Sequence, residues 1–159
     1  MENLPSYLND HLAGAAAALE LVDHLIKTHQ GKPLESFFKE LRKDIEEDRK
    51  ALRQVLRTFE AKESLVRKAG AWMAEKLGRT KIEFAGEKIG EIGLMQALEA
   101  LVLGITGKQL LWRALAASTE ASSRLQKIDL GRLEERAIEQ CERVEAKRLD
   151  AAREAFRST

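Results

Sequence analysis

Asp48 stands where an apolar residue belongs. In FFKELRKDIEEDRKALRQVLRTFE, Phe38, Leu41, Ile45, Leu52, Val55 and Phe59 keep a helical step, and the carboxylate fills the one open slot of that series. A carboxylate on the inward stripe of a helix either ligates a metal, pairs with a cation, or lies near an end that reaches water. Counting residues from the turn near Gly31 puts His11 within roughly 4.5 Å of the level of Asp48, at 1.5 Å of rise per residue. The same count brings Glu142 near that level, Glu145 slightly below it and Glu99 lower still. One metal held by His11, Asp48 and Glu142 or Glu145 is therefore a reading to be tested. The plainer one is a charge-assisted hydrogen bond between the carboxylate and an imidazole, or an ion pair with Arg143 or Arg148.

Two of these acids could also do acid–base work. Glu99 lies in the apolar stretch ALEALVLGI, and Glu145 lies between Cys141 and Leu149 at helical spacing, so each could carry a raised pKa. A flank position that leans into water or meets an arginine explains both equally well. Cys141 falls on an apolar stripe, where a thiol behaves as a small buried hydrophobe, and as the single cysteine it excludes an internal disulfide or a CxxC site. There is no serine, histidine and acid in a hydrolase pattern. The glycines of FAGEKIGEIG do not follow a predicted strand as a phosphate loop would. These residues imply neither a catalytic site nor a cofactor.

The elements that must position these residues are helices. Leu8, Leu12, Ala15, Leu19, Val22 and Ile26 form the stripe of a first helix, with Asn3 or Ser6 as N-cap, and Gly31 with Pro33 ends it. The second helix carries the Asp48 stripe to about Phe59, and the short hop makes the two antiparallel neighbours. A connection of about thirty residues follows. It holds an amphipathic segment with Leu65, Ala69, Trp72 and Met73 and the glycine-punctuated KLGRTKIEFAGEKIGEIG. A third helix is expected from about Glu91 to Ala117, with Leu94, Leu98, Leu101, Ile105 and Trp112 inward and Leu103 and Leu110 on its back. Asp129 is the expected N-cap of a fourth, with Leu130, Leu133, Ala137, Cys141, Val144, Ala152 and Phe156 in line. The small residues of AGAAAALE and the glycines Gly104 and Gly107 stand at similar heights. They predict a tight crossing of the first and third helices; the alternatives are alanines that merely favour helix with the glycines as weak points, or a ligand cavity.

Composition agrees with one all-α domain over 1–159. Hydrophobic residues make up 44% and charged residues 33% of the 159, with only two prolines. The 27 basic and 26 acidic residues are interleaved, so no field gathers phosphates and nucleic acid is not an expected partner. The N-terminus lacks a basic region and the Ala-rich run is broken by Glu20 and Asp23, which predicts neither a signal peptide nor a membrane span and places the chain in the cytoplasm.

Two helical hairpins with a long connection between the second and third helices are the order of a ferritin-like antiparallel four-helix bundle, the crossover containing a short extra helix. Through YLNDHLAGAAAALELVDHLI, FFKELRKDIEEDRKAL and ALEALVLGITGKQLLWRAL the chain resembles small bacterial proteins of the ferritin-like superfamily, distantly similar to stress-associated ferritin-like proteins. The resemblance implies the fold and no more. A di-iron centre of that family takes Glu-x-x-His from two helices, whereas His11, His24 and His29 all lie in the first helix or at its exit. The expectation is a non-enzymatic structural or interaction protein, self-associating as a dimer through Leu103 and Leu110, with no protein partner identified. A metal-binding bundle with an incomplete site and a small-ligand binder are the alternatives.

Overall fold

A computed structural model of the chain describes residues 2–64 and 90–157. Among these residues every regular element is a helix: α1 Leu4–Thr28, α2 Leu34–Thr58, α3 Glu91–Ala117, α4 Thr119–Arg124 and α5 Leu130–Ala155. The segment with Leu65, Ala69, Trp72 and Met73, and most of the glycine-punctuated stretch after it, lie outside the described residues. The four long helices match the four expected. The six-residue α4 is an addition to them, opened by Ser118, whose hydroxyl accepts from the Ala121 N–H at 3.2 Å. Among the described residues no helix is long and apolar enough to cross a membrane.

The stripes bury as their spacing requires. Leu8, Leu12, Leu19 and Val22 of α1, Phe38, Leu41, Ile45, Leu52 and Val55 of α2, and Leu94, Leu98, Leu101, Ile105 and Trp112 of α3 form one core. On α5 the inward series is Leu130, Leu133, Ala137, Gln140, Val144 and Ala151. Cys141 is only half-buried, and Phe156, past the last turn, is 69% exposed rather than inward. Leu103 and Leu110 on the back of α3 are 40% and 52% exposed.

Ion pairs set the directions. Asp23 with Arg42 joins α1 to α2, and Arg113 with Glu134 joins α3 to α5, each as an antiparallel pair. Asp44 with Arg143 and Glu47 with Arg136 run in opposite order along α2 and α5, so these two are antiparallel as well. The remaining close packing is α1 on α3. Asp129 caps α5 as expected, accepting from the Arg132 N–H at 2.9 Å. At the other end of the bundle the α1–α2 turn is made by Gly31 at φ 74°. The His29 ring closes α1, its Nδ1 2.8 Å from the Leu25 carbonyl.

One helix end carries strain. After α2 the Glu60 N–H bonds the Arg57 carbonyl and the Ala61 N–H bonds the Leu56 carbonyl, both at 3.0 Å, which is the Schellman pattern. It requires a left-handed residue, and Glu60 at φ 53° supplies it where glycine is usual. Glu60→Gly removes the steric cost at the expense of some unfolded-state entropy. It should stabilise by up to about 1 kcal/mol, read as a rise in the urea midpoint.

Candidate functional site

Three of the four long helices among the described residues break their apolar series at mid-length, and these breaks meet. On α2 the slot is Asp48. On α3 the series Leu98, Leu101, Ile105, Lys108, Trp112, Leu115 steps by three and four with lysine in the middle. On α5 the run Leu133, Ala137, Gln140, Val144 does the same with glutamine. Asp48 is 2% exposed and Gln140 1%. Lys108 Nζ donates to Asp48 Oδ2 and to Gln140 Oε1, both at 2.5 Å, and Gln140 Nε2 donates to the same Asp48 oxygen at 2.8 Å. The three side chains form a closed triangle of charge-assisted hydrogen bonds. The other carboxylate oxygen, Oδ1, makes no hydrogen bond among the described residues but lies 3.4 Å from Arg136 Nη2, which also holds Glu47. Burial pushes the Lys108 pKa below its ordinary 10.5, Asp48 opposes that shift, and Arg136 adds to it.

Asp48 is thus inward and paired, but with partners other than those expected. Arg143 bonds Asp44 and Arg148 bonds Glu145, so neither serves Asp48. His11 makes an edge-on ring contact with Tyr7 at 4.7 Å, and its pKa is lowered by burial, with Asp10 partly opposing. The other acids named as metal candidates do not come to Asp48. Glu142 and Glu99 are exposed. Glu145 makes a two-pronged bond to Arg148 at 2.6 Å, which lowers its pKa instead of raising it. No three His, Cys, Asp or Glu side chains converge in a metal-binding group among the described residues. Lys108 and Gln140 were missed from the sequence, although the three-and-four step that singles out Asp48 singles them out too.

The fourth helix of that layer, α1, offers Ala15 where the others offer a polar side chain, and room is left beside the triangle. A groove of about 340 Å³ lies between α1, α2 and α3, walled by Ala15, Ile45, Leu52, Leu103 and Leu111, with Asp48 and Lys108 also in its lining. His11, Gly14, Gly104 and Gly107 line it as well. At Gly14 and Gly107 the tight crossing expected of the first and third helices does not form. A Cβ built on Gly14 or Gly107 would meet nothing within 4 Å. On the α5 side the triangle borders a second, charged cleft, where Arg132, Arg136 and Arg143 are all held by acids.

Compared with known protein families, with curated proteins and with solved structures, the chain matches none.

Two outcomes follow from this geometry. Asp48→Asn leaves a buried cation without its counter-charge and should cost about 1 to 3 kcal/mol. Lys108→Met, which strands the carboxylate, should cost about 3 kcal/mol, and Asp48→Leu combined with Lys108→Met should cost less than the Lys108→Met change alone. Denaturant unfolding of the unaltered protein, Asp48→Leu, Lys108→Met and the double variant checks the cycle; strictly additive effects would show that the pair is not coupled.

The second outcome concerns acid. Because the folded pKa of His11 is lowered from its ordinary 6.5, the unfolded chain binds the proton more readily in the window just below that value. Stability should rise with pH through this window and level off above it. His11→Gln should flatten that part of the profile, measured by urea unfolding from about pH 5 to 7.5.

Proposed function

We propose that this chain is a non-enzymatic small-ligand-binding protein that holds a compact, largely apolar molecule between α1, α2 and α3. Of the three readings of the sequence, structural protein, incomplete metal site and ligand binder, the groove favours the third. Its volume of about 340 Å³ falls in the range of small-molecule sites, and its walls are mainly apolar with a few polar groups. Space in a helical core is costly to leave, because lining atoms lose their packing partners. Here the space comes from Gly14, Ala15, Ala18, Gly104 and Gly107, on two facing helices.

The scaffold we propose is the ferritin-like helix order. What supports it is that α2 and α3 point the same way: Asp48 meets Lys108 at mid-height, and beyond it Arg124, just after α3, donates to the Thr58 carbonyl at 2.9 Å and covers the Phe59 ring. Parallel second and third helices on a diagonal require the long connection that the sequence contains.

Titration with N-phenyl-1-naphthylamine, a neutral fluorescent apolar compound, should saturate at one molecule per chain and raise the melting temperature. Gly107→Leu and Gly14→Leu place a side chain in the open space and should weaken binding at least about tenfold with helicity unchanged. Absence of saturable binding, or binding indifferent to both leucines, would sink the reading.

A further inference from the structure

The groove's polar lining also specifies what its ligand carries. Its ionic groups cancel: Asp10 and Asp48 are matched by Arg49 and Lys108. Burial keeps His11 from adding a proton at neutral pH, since its pKa is lowered. A charged ligand would enter without a spare counter-charge and lose its hydration, which is a heavy cost in apolar surroundings. The polar groups left over are mostly donors. Trp112 is 1% exposed, and its Nε1–H, which can only donate, has no hydrogen-bond partner among the described residues; Arg49 Nε is buried in the same condition. Native structures rarely leave such a donor unpaired, and an acceptor brought by a ligand recovers the loss. Among the fully buried lining atoms of the described residues, the acceptor without a hydrogen bond, Asp48 Oδ1, already faces Arg136 at 3.4 Å.

Resting on the ligand-binding reading above, we infer that the groove selects a neutral, mainly apolar molecule bearing a carbonyl oxygen, which accepts a hydrogen bond from Trp112 Nε1–H. Trp112 belongs to the groove lining, on the turn after Lys108, and Ala15, Ala18 and Leu103 of the same lining are apolar surface for the hydrocarbon body. Nε1 is shielded from water, and the contact therefore requires a small shift of the wall around the indole.

Camphor and bornane share one hydrocarbon cage and differ in the carbonyl, which makes them a matched pair of compounds. Calorimetric titration of the intact protein should show camphor binding about tenfold more tightly than bornane. The chain has two tryptophans, and so two indole N–H signals in a nitrogen–proton NMR spectrum. The one assigned to Trp112, by its absence from Trp112→Phe or by the loss of the other in Trp72→Phe, should move downfield with camphor and not with bornane. Trp112→Phe should abolish the preference while bornane still binds. If that variant does not fold, the indole signal of the unaltered protein decides. Equal affinities, an unmoved indole signal or tighter binding of the cation bornylamine would overturn the carbonyl inference and leave the groove as an apolar site. Failure of camphor, bornane and the naphthylamine alike would remove the ligand-binding reading itself.

Discussion

A carboxylate taken out of water must be answered by fixed donors, and Asp48 is answered from two other helices at once. Lys108 and Gln140 meet on the same oxygen, with Arg136 close to the second one. Ridge-and-groove packing alone tolerates a slip of one helix past another by a turn, about 5.4 Å, because the next row of leucines is much like the last. The triangle does not tolerate it, since a slipped helix would leave a buried ion stranded. Asp48 thereby fixes the vertical alignment of α2, α3 and α5, and the outer pairs Glu47 with Arg136 and Asp44 with Arg143 repeat the same alignment at the surface.

The groove is the other face of that arrangement. Polar side chains at mid-height reach across the bundle from α2, α3 and α5, and a large side chain from α1 at this level would compete with them for the same space. Ala15 leaves it open, and the neighbouring glycines widen it. A charged floor beside apolar walls results from four residues at one level of the bundle, one on each long helix.

Much of this was legible in the spacing of apolar residues. The third helix was read to its ends, the Asp129 cap was read from one side chain, and Asp48 was placed inward by its neighbours alone. Its partners were not found, for a reason that is physical. Reading each helix singly makes Lys108 a flank lysine and Gln140 one polar residue among many, and only the meeting of three interrupted stripes gives them a role. Level counting placed Glu142 where Gln140 stands; an error of two residues is about 200° of rotation, enough to exchange the inner face for the outer one. Likewise alanines and glycines on facing helices look the same whether the helices close or stay apart. The distance between axes is set by the rest of the core. The short α4 has too few residues for any periodicity to announce it.

Asn9 gives the first hairpin a second fastening. Its amide donates to the Pro5 and Lys62 carbonyls, and its oxygen accepts from the Ser64 N–H at 2.7 Å. The turn at Gly31 ties α1 to α2 at one end, and Asn9 fastens the backbone leaving α2 onto the start of α1 at the other. Residues 4–64 are in this way a loop closed on itself, with every contact needed to close it local to the first 64 positions. Such a unit is held to itself by contacts up to 55 residues apart, whereas Asp48 draws on Lys108, 60 residues away, and Gln140, 92 away, both in the other half of the bundle. The triangle therefore joins one hairpin to the other, while Asn9 and the Gly31 turn hold the first hairpin to itself.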